Sequence, residues 1–283
     1  MTKKIIITVD VEKDISKYIK DSYIGIEEGI LPLLDLLKKF KIIGDFFVTA
    51  NICNKYPQVI KQIVENGHNI GCHGYDHSNS YEFYCTKNFK KQYDSISKAT
   101  KVIEKVVGDP PVMFRAPNFS VNGDTIKVLE KLEYTIDSSV LPGRIHKKWR
   151  LFTIYDFRNA PRKIYHPSTN DVGTVGKSPI NEIPITENPF IREVPIGMGY
   201  LNSLGLDETI KIIEQVKEEY VIFLIHPWEL VDLSQHYPNL REWLHKSCSS
   251  DLSVIASFLK YLQKHYLYTT LNELINDFQD GKD

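Results

Sequence analysis

The 283-residue sequence predicts an α/β fold: a distorted (β/α) barrel of seven or eight mainly parallel strands, one domain over 1–283 carrying a long insertion. Two observations predict it. Short β-branched runs alternate with longer segments of helical period along most of the chain, which argues a parallel sheet. The runs are also nearly continuous in Ile, Val and Phe, as strands covered on both faces must be, and seven of them suit a barrel better than two packed sheets.

The strands are expected at 5–10, 45–49, 69–72, 112–115, 135–140, 191–196 and 221–226. Between them apolar residues fall at helical spacing, as in Ile30, Leu33, Leu34 and Leu37, then Ile96, Val102, Ile103 and Val106, then Ile126, Leu129 and Leu132. The stretch 141–190 is rich in Pro, basic and aromatic residues with no sustained period and is expected to be the insertion. Two patterns, 252–265 and 271–278, read as closing helices over about 251–279.

Composition excludes several classes. With 35 Lys plus Arg against 36 Asp plus Glu, the net charge is −1, so the field that nucleic-acid-binding and membrane-surface proteins use is missing. Apolar runs are far shorter than the ~20 residues of a membrane span. The N-terminus passes from Lys3 and Lys4 straight into Ile5 with no signal-peptide pattern, and a cytoplasmic protein is expected. Cys53, Cys72, Cys85 and Cys248 show no C-x-x-C pairing, so neither a disulfide framework nor a thiolate zinc site is signalled.

In parallel α/β architectures reactive groups gather where strands end. Here those ends read T-V-D-V-E (8–12), H-G-Y-D-H (73–77), R-A-P-N (115–118), D-S-S (137–139) and H-P-W-E (226–229). His73 and His77 have metal-ligand spacing, but Gly74 stands where H-E-x-x-H needs its glutamate, so the metalloprotease reading fails. In an extended chain Asp10 and Glu12 face one side and Val11 the other, so both acids can join the histidines. Two histidines and one carboxylate match a three-ligand catalytic zinc site, leaving the second carboxylate free as a base. A cap or a surface charge would account for either acid alone, though not for both in this company. Arg115, ending an apolar strand, needs a carboxylate partner, and Asp10 is a candidate. His226, at the mouth of V-I-F-L-I, has a pKa suited to general acid work, although histidines so placed are often only hydrogen-bonded. Trp228 and Glu229 either line the pocket or serve packing.

The order of these motifs resembles the polysaccharide deacetylase family, the carbohydrate esterases that remove N-acetyl groups from amino sugars. The resemblance runs from Ile5 to about Glu229 and also includes G-D-F-F-V (44–48), G-H-N-I-G-C-H-G-Y-D-H (67–77), R-A-P-N-F-S (115–120), Y-T-I-D-S-S (134–139) and F-L-I-H-P-W-E (223–229). It implies a distorted barrel and a divalent metal, zinc first, held by an acid and two histidines. Carried over, it makes Asp10 the base, His73 and His77 metal ligands, Arg115 the group that positions Asp10, and His226 the acid. The family commonly has adjacent aspartates in its first motif, the second on the metal. Here position 11 is valine, and the D-x-E pattern of some relatives gives that ligand role to Glu12. A tyrosine common after R-x-P is replaced by Asn118, whose backbone N–H still serves an oxyanion; Pro117, Asn118 and Trp228 are the expected substrate contacts. For the acid that tunes His226, Asp137 and Glu182 are the candidates.

The insertion carries a substrate hint. Between 144 and 163 stand Arg144, Lys147, Lys148, Arg150, Arg158, Arg162 and Lys163 against one acid, Asp156, with Trp149, Phe152 and Tyr155 interleaved. Such a segment fits an amino-sugar substrate that is phosphate-linked or otherwise anionic, and equally a solvated basic loop. Two rival functions stand beside the deacetylase: an allantoinase-like amidohydrolase acting on a small ureide or cyclic imide without metal, and a catalytically silent sugar-binding protein.

Overall fold

The computed structural model describes residues 2–15, 18–19, 21–77, 83–148 and 151–281. Its strands are β1 (Lys4–Val11), β2 (Asp45–Val48), β3 (Asn69–Cys72), β4 (Met113–Phe114), β5 (Ile136–Asp137), the hairpin pair β6 (Ile145–Lys148) and β7 (Phe152–Asp156), β8 (Asn181–Glu182), β9 (Tyr220–Ile225) and β10 (Leu267–Tyr268). Seven of them run parallel in the order β9-β1-β2-β3-β4-β5-β8 and curl into an incomplete barrel, while β10 pairs with Lys4 and Ile5 at the start of β1. Helices α1 (Ile30–Phe40), α2 (Ala50–Lys55), α3 (Pro57–Glu65), α4 (Phe89–Val107), α5 (Gly123–Lys131), α6 (Met198–Leu204), α7 (Leu206–Gln215), α8 (Glu242–Lys246), α9 (Ser253–His265) and α10 (Leu271–Gln279) complete the fold.

Alternation along the strands sorts the core into two layers. On β1, Ile5, Ile7, Val9 and Val11 face outward into the large core shared with α1, α4 and α9, whereas Ile6 joins an inner cluster with Phe47, Met113, Ile136, Ile183 and Ile222. The inner parity of β1 then continues through Thr8 and Asp10 to Glu12, all buried. So Val11 has an outward packing role, worth about 1.5–3 kcal/mol for a fully buried aliphatic side chain. Leu271, Leu274 and Ile275 of α10 join the inner cluster and close the barrel floor. The helix is started there by a capping box in which Thr270 and Glu273 satisfy each other's backbone N–H groups.

Two expectations are corrected here. No strand forms at 191–196; its only traces are isolated bridges, Glu187 with Pro195 and Gly197 with Leu224. Pro195 removes a ladder donor from this stretch, and 190–193 are exposed. The position beside β5 is filled instead by β8, which lies inside the stretch expected as insertion over 141–190. Beyond it the ring closes through irregular chain: Ile185 N donates to Val140 O at 2.9 Å, Ile196 N to Thr186 O at 3.2 Å, and Leu224 N to Ile196 O at 3.0 Å. What stands apart from the barrel is chiefly the β6–β7 hairpin. No helix among the described residues is long and apolar enough to cross a membrane.

Candidate active site

The site occupies the end of the barrel where β1, β3, β4 and β9 deliver Asp10, Glu12, His73, His77, Arg115 and His226. Arg115 is the fixed point. It is fully buried, with Nη1 donating to Asp10 Oδ1 at 2.8 Å and Thr8 Oγ1 at 3.0 Å, Nε to Ser138 O at 3.0 Å, and Nη2 to Ser138 Oγ at 3.0 Å. Its plane lies 4.2 Å from the centre of the Phe47 ring. Held at Nε, Nη1 and Nη2, the guanidinium binds one Asp10 oxygen and leaves the other, Oδ2, 3.9 Å from His73 Nε2.

Glu12, His73 and His77 form the second group. Glu12 Oε2 lies 3.5 Å from His73 Nε2 and 3.2 Å from His77 Nδ1. One ligand atom from each lies within 4.8 Å of the others. The backbone makes this convergence possible: Gly74 adopts φ +77°, a left-handed turn that glycine takes without strain, and the Gly74 and Tyr75 carbonyls accept from Ala50 and Asn51 at the start of α2. Lys13 Nζ and Asp76 Oδ1, 3.6 Å apart, tie the loop after β1 to the loop after β3.

The electrostatics suit a cation. Burial by itself would raise the Glu12 carboxyl, but His77, His73 and His226 outweigh it and bring the carboxyl down to about 2. Burial opposes charge on His73 as well, yet Asp10 and Glu12 raise its pKa; at His77 burial prevails and the pKa falls. His73 Nδ1 lies 2.8 Å from Arg115 O, so that nitrogen donates to the carbonyl and Nε2 is the one turned towards Glu12 and available to a metal. Glu12 Oε2 is buried without a hydrogen-bond donor. An orphaned carboxylate oxygen and an imidazole fixed in the right tautomer, one acid with two histidines, fit a divalent metal, zinc included.

His226 stands on the other side of Glu12, its Nε2 3.9 Å from Glu12 Oε1. Its partner is Glu229. Oε2 of Glu229 accepts from the His226 backbone N–H at 2.8 Å and lies 3.4 Å from Nδ1. Burial disfavours the imidazolium, but Glu229, followed by Glu12 and Asp10, raises the pKa to about 9. The H-P-W-E turn is seated against the chain ahead of α1, where a Cβ on Gly25 would lie 2.4 Å from Trp228 N. The Trp228 indole stacks on His226 with ring centres 5.1 Å apart.

Asp137 and Glu182 do not tune His226. They are register partners on β5 and β8, with the opposite parity to Ile136 and Ile183 of the inner cluster, and so face away from the barrel interior. Burial raises both carboxyls, and the neighbouring Asp137 charge raises Glu182 further, well above its usual range, so the pair keeps a proton. Glu229 stands in the H-P-W-E motif itself, three positions after His226, where its carboxylate can reach back to the backbone N–H at the start of the turn, as it does here.

A cleft of about 620 Å³ opens over Glu12 and His77, lined also by Asn118, Arg144, His146, Trp228 and Trp243. A second, mainly apolar cavity of about 330 Å³ lies beside it, walled by Leu224, His226, Trp228 and Trp243. Asn118 and Trp228 therefore face the cleft as expected; Pro117 is buried behind the turn and does not. Asn118 and Phe119 are successive left-handed residues, φ 58° and 56°. Such strain costs about 1–3 kcal/mol per residue and collects at functional sites. Of the basic stretch, Arg158 is paired with Asp156, Arg162 with Glu187 and Lys163 with Glu219, while Arg144 reaches the cleft. Trp149 and Arg150 lie outside the described residues.

Comparison with known proteins agrees with this arrangement. Residues 2–136 match the model of the polysaccharide deacetylase family. The chain is 30% identical over 112 residues to the peptidoglycan-N-acetylmuramic acid deacetylase of Bacillus subtilis, covering 39% of this chain and 41% of that protein. It is 29% identical over 115 residues to a peptidoglycan deacetylase of Helicobacter pylori, covering 41% and 38%. The matched part thus spans about two fifths of these relatives' own lengths. A solved structure described as a polysaccharide deacetylase from Mycobacterium smegmatis superposes over 99% of this chain and 91% of its own with a TM-score of 0.68, at 16% identity, and so shares the fold. The segment that matches this family's model carries β1 to β4 with Asp10, Glu12, His73, His77 and Arg115, so the chain is similar to the polysaccharide deacetylases over just under half of its length, and its barrel shares the fold of the solved structure.

Proposed function

We propose that this protein is a metal-dependent hydrolase that removes an N-acetyl group from an amino sugar of a polysaccharide or glycan precursor. The observation that carries the reading is a three-ligand set, Glu12, His73 and His77, flanked by an arginine-held carboxylate on one side and a glutamate-held imidazole on the other. The relatives named as peptidoglycan deacetylases support an amino-sugar polymer as substrate.

Amide hydrolysis needs an activated water, a polarised carbonyl and a protonated leaving amine. A divalent metal, zinc by preference for this donor set, would be held by Glu12, His73 and His77 and would supply Lewis acidity to the acyl oxygen and to water. Asp10, held and oriented by Arg115, removes the proton from the attacking water. His226, kept protonated by Glu229, donates to the nitrogen as the C–N bond breaks, so acetate and a free amine leave. Asn118 and Trp228 line the path of the sugar, and the apolar cavity beside His226 suits the acyl methyl group.

The test is elemental analysis of untagged protein before and after dialysis against chelator, followed by acetate release from N-acetyl glycans. Close to one metal per chain, lost with activity on chelation and regained with zinc, is the expected result. Metal-free turnover of a ureide or cyclic imide would favour the amidohydrolase, and glycan binding with no turnover the silent binding protein.

A further inference from the structure

Arg144 differs from the other described arginines of its stretch. Arg158 is held by Asp156 with nitrogen–oxygen distances of 2.9 and 2.6 Å, and Arg162 by Glu187 at 2.5 Å, so both charges are already answered within the protein. Arg144 has no acid within ion-pair distance among the described residues. It is half-buried, with its guanidinium carbon 5.3 Å from the centre of the Phe119 ring. That ring belongs to one of the two strained residues, so the platform under the arginine is maintained at a cost in backbone energy. A stacked guanidinium keeps its in-plane N–H groups free to meet a planar or tetrahedral anion.

Its position gives the free charge a purpose. Arg144 and His146 lie on the wall formed by the β6–β7 hairpin and line the same cleft as Glu12 and His77. At about 620 Å³ the cleft is a single small-molecule site by the usual range of about 300–1,000 Å³, so a group bound at Arg144 belongs to the molecule whose acyl group reaches the catalytic centre. The positive field is felt within the cleft: burial first, and then the Arg144 charge, hold the His146 imidazole below its usual range. Phe83 and Tyr155 both pack against His146, with ring centres 5.3 and 5.5 Å away, so this wall is a built surface.

We propose that Arg144 is a specificity-determining residue that binds an anionic group, a carboxylate or a phosphate, carried by the amino-sugar substrate. The inference rests on the deacetylase reading for its reaction, though its binding test does not. With the metal-loaded enzyme, acetate release is compared for a neutral N-acetylglucosamine tetramer, a tetramer of the same length whose alternate sugars carry a 3-O-lactyl carboxylate, and N-acetylglucosamine 1-phosphate. The wild type is expected to prefer one of the anionic substrates by about tenfold or more in kcat/KM. Arg144→Gln should collapse that preference towards one, chiefly through KM, while Arg144→Lys keeps part of it. The preferred anion identifies carboxylate or phosphate as the source. An unchanged anionic-to-neutral ratio in Arg144→Gln, or a wild type that prefers the neutral tetramer, overturns the proposal.

Calorimetric binding of the same three ligands to wild type and Arg144→Gln separates the two readings. Charge-dependent binding that Arg144→Gln abolishes, with no acetate released from any substrate, keeps the anion site and removes the hydrolase. Binding indifferent to ligand charge removes the anion site whatever the turnover.

Discussion

The barrel carries a buried carboxylate at each end, and their environments push them in opposite directions. At the mouth, Glu12 sits among three imidazoles and is held down at about 2 in spite of its burial. At the floor, Asp45 accepts from Asn69 Nδ2 and from the backbone N–H of Leu271, both at 2.8 Å, and burial, only partly offset by these neutral donors, raises it to about 6. Neutral donors satisfy a carboxylate's lone pairs without answering its charge, whereas cations answer the charge. The floor is thus a finished structural joint, tying β2 to the start of α10. At the mouth Glu12 Oε2 has no hydrogen-bond donor and lies beside the His73 and His77 imidazoles, a donor set that fits a cation.

The largest effects are expected where the mouth does chemistry. Asp10→Asn keeps a hydrogen-bond acceptor for Arg115 but cannot take a proton, and kcat should fall by about 10²–10⁴. A decrease smaller than about a hundredfold in a variant that still binds metal would show that another group is the base. Next is His77→Ala, which leaves Glu12 and His73 as the remaining ligands. Elemental analysis should show metal lost from this variant under dialysis that wild type survives, and full retention would place the cation elsewhere. Neither substitution should alter the floor.

The contrast between the ends also explains what could be read from the sequence. Strand parity put Asp10 and Glu12 on one side and Val11 on the other before any coordinates, because a period of two in a buried strand leaves no freedom. Gly74, which excluded one metal motif in the sequence, supplies in the structure the turn that brings His73 and His77 together. Legibility failed where elements are too short to have a period. β8 is two residues between Ile180 and Ile183, and Pro179 and Pro184 nearby make it look like loop. The β-branched residues at 191–196 promised a strand, but Pro195 and the exposure of 191–193 left only bridges. Asp137 and Glu182 appeared able to reach His226 because sequence does not show which face of the sheet a two-residue strand presents. Glu229 was legible as a residue of H-P-W-E but not as the partner of His226, because the turn that folds its carboxylate back onto the His226 N–H has no period to read.

A smaller effect sharpens the account of the mouth. Glu229→Gln keeps an acceptor for the His226 backbone but removes the charge that most raises its pKa. The imidazolium should then deprotonate at lower pH, moving the alkaline limb of the kcat–pH profile in the acid direction and lowering kcat at pH 8 by about tenfold. A cation bound at Glu12 removes that residue's help to His226, which makes the dependence on Glu229 greater in the loaded enzyme. An alkaline limb that does not move in Glu229→Gln would assign it to a group other than His226.

The smallest expected effect on activity, and the clearest on stability, belongs to Asp45. Its folded pKa of about 6 lies above the ~3.9 of an unfolded aspartate. Between those values the folded chain binds a proton that the unfolded chain has lost, so this residue's contribution to stability falls as pH rises from about 4 to 6 and then levels off, a change of about 2–3 kcal/mol. Asp45→Asn mimics the protonated form and retains an acceptor for Leu271. Denaturant unfolding of the two proteins at pH 4 and pH 7 should show the variant gaining on wild type by about that amount between the two conditions, with kcat at the mouth unchanged. Parallel pH dependences would mean that Asp45 does not titrate in that window, and the floor would then resemble the mouth in having an answered charge. Divergence as described would show that one barrel stores the cost of a buried acid at the end that only holds it together and spends cationic partners at the end that works.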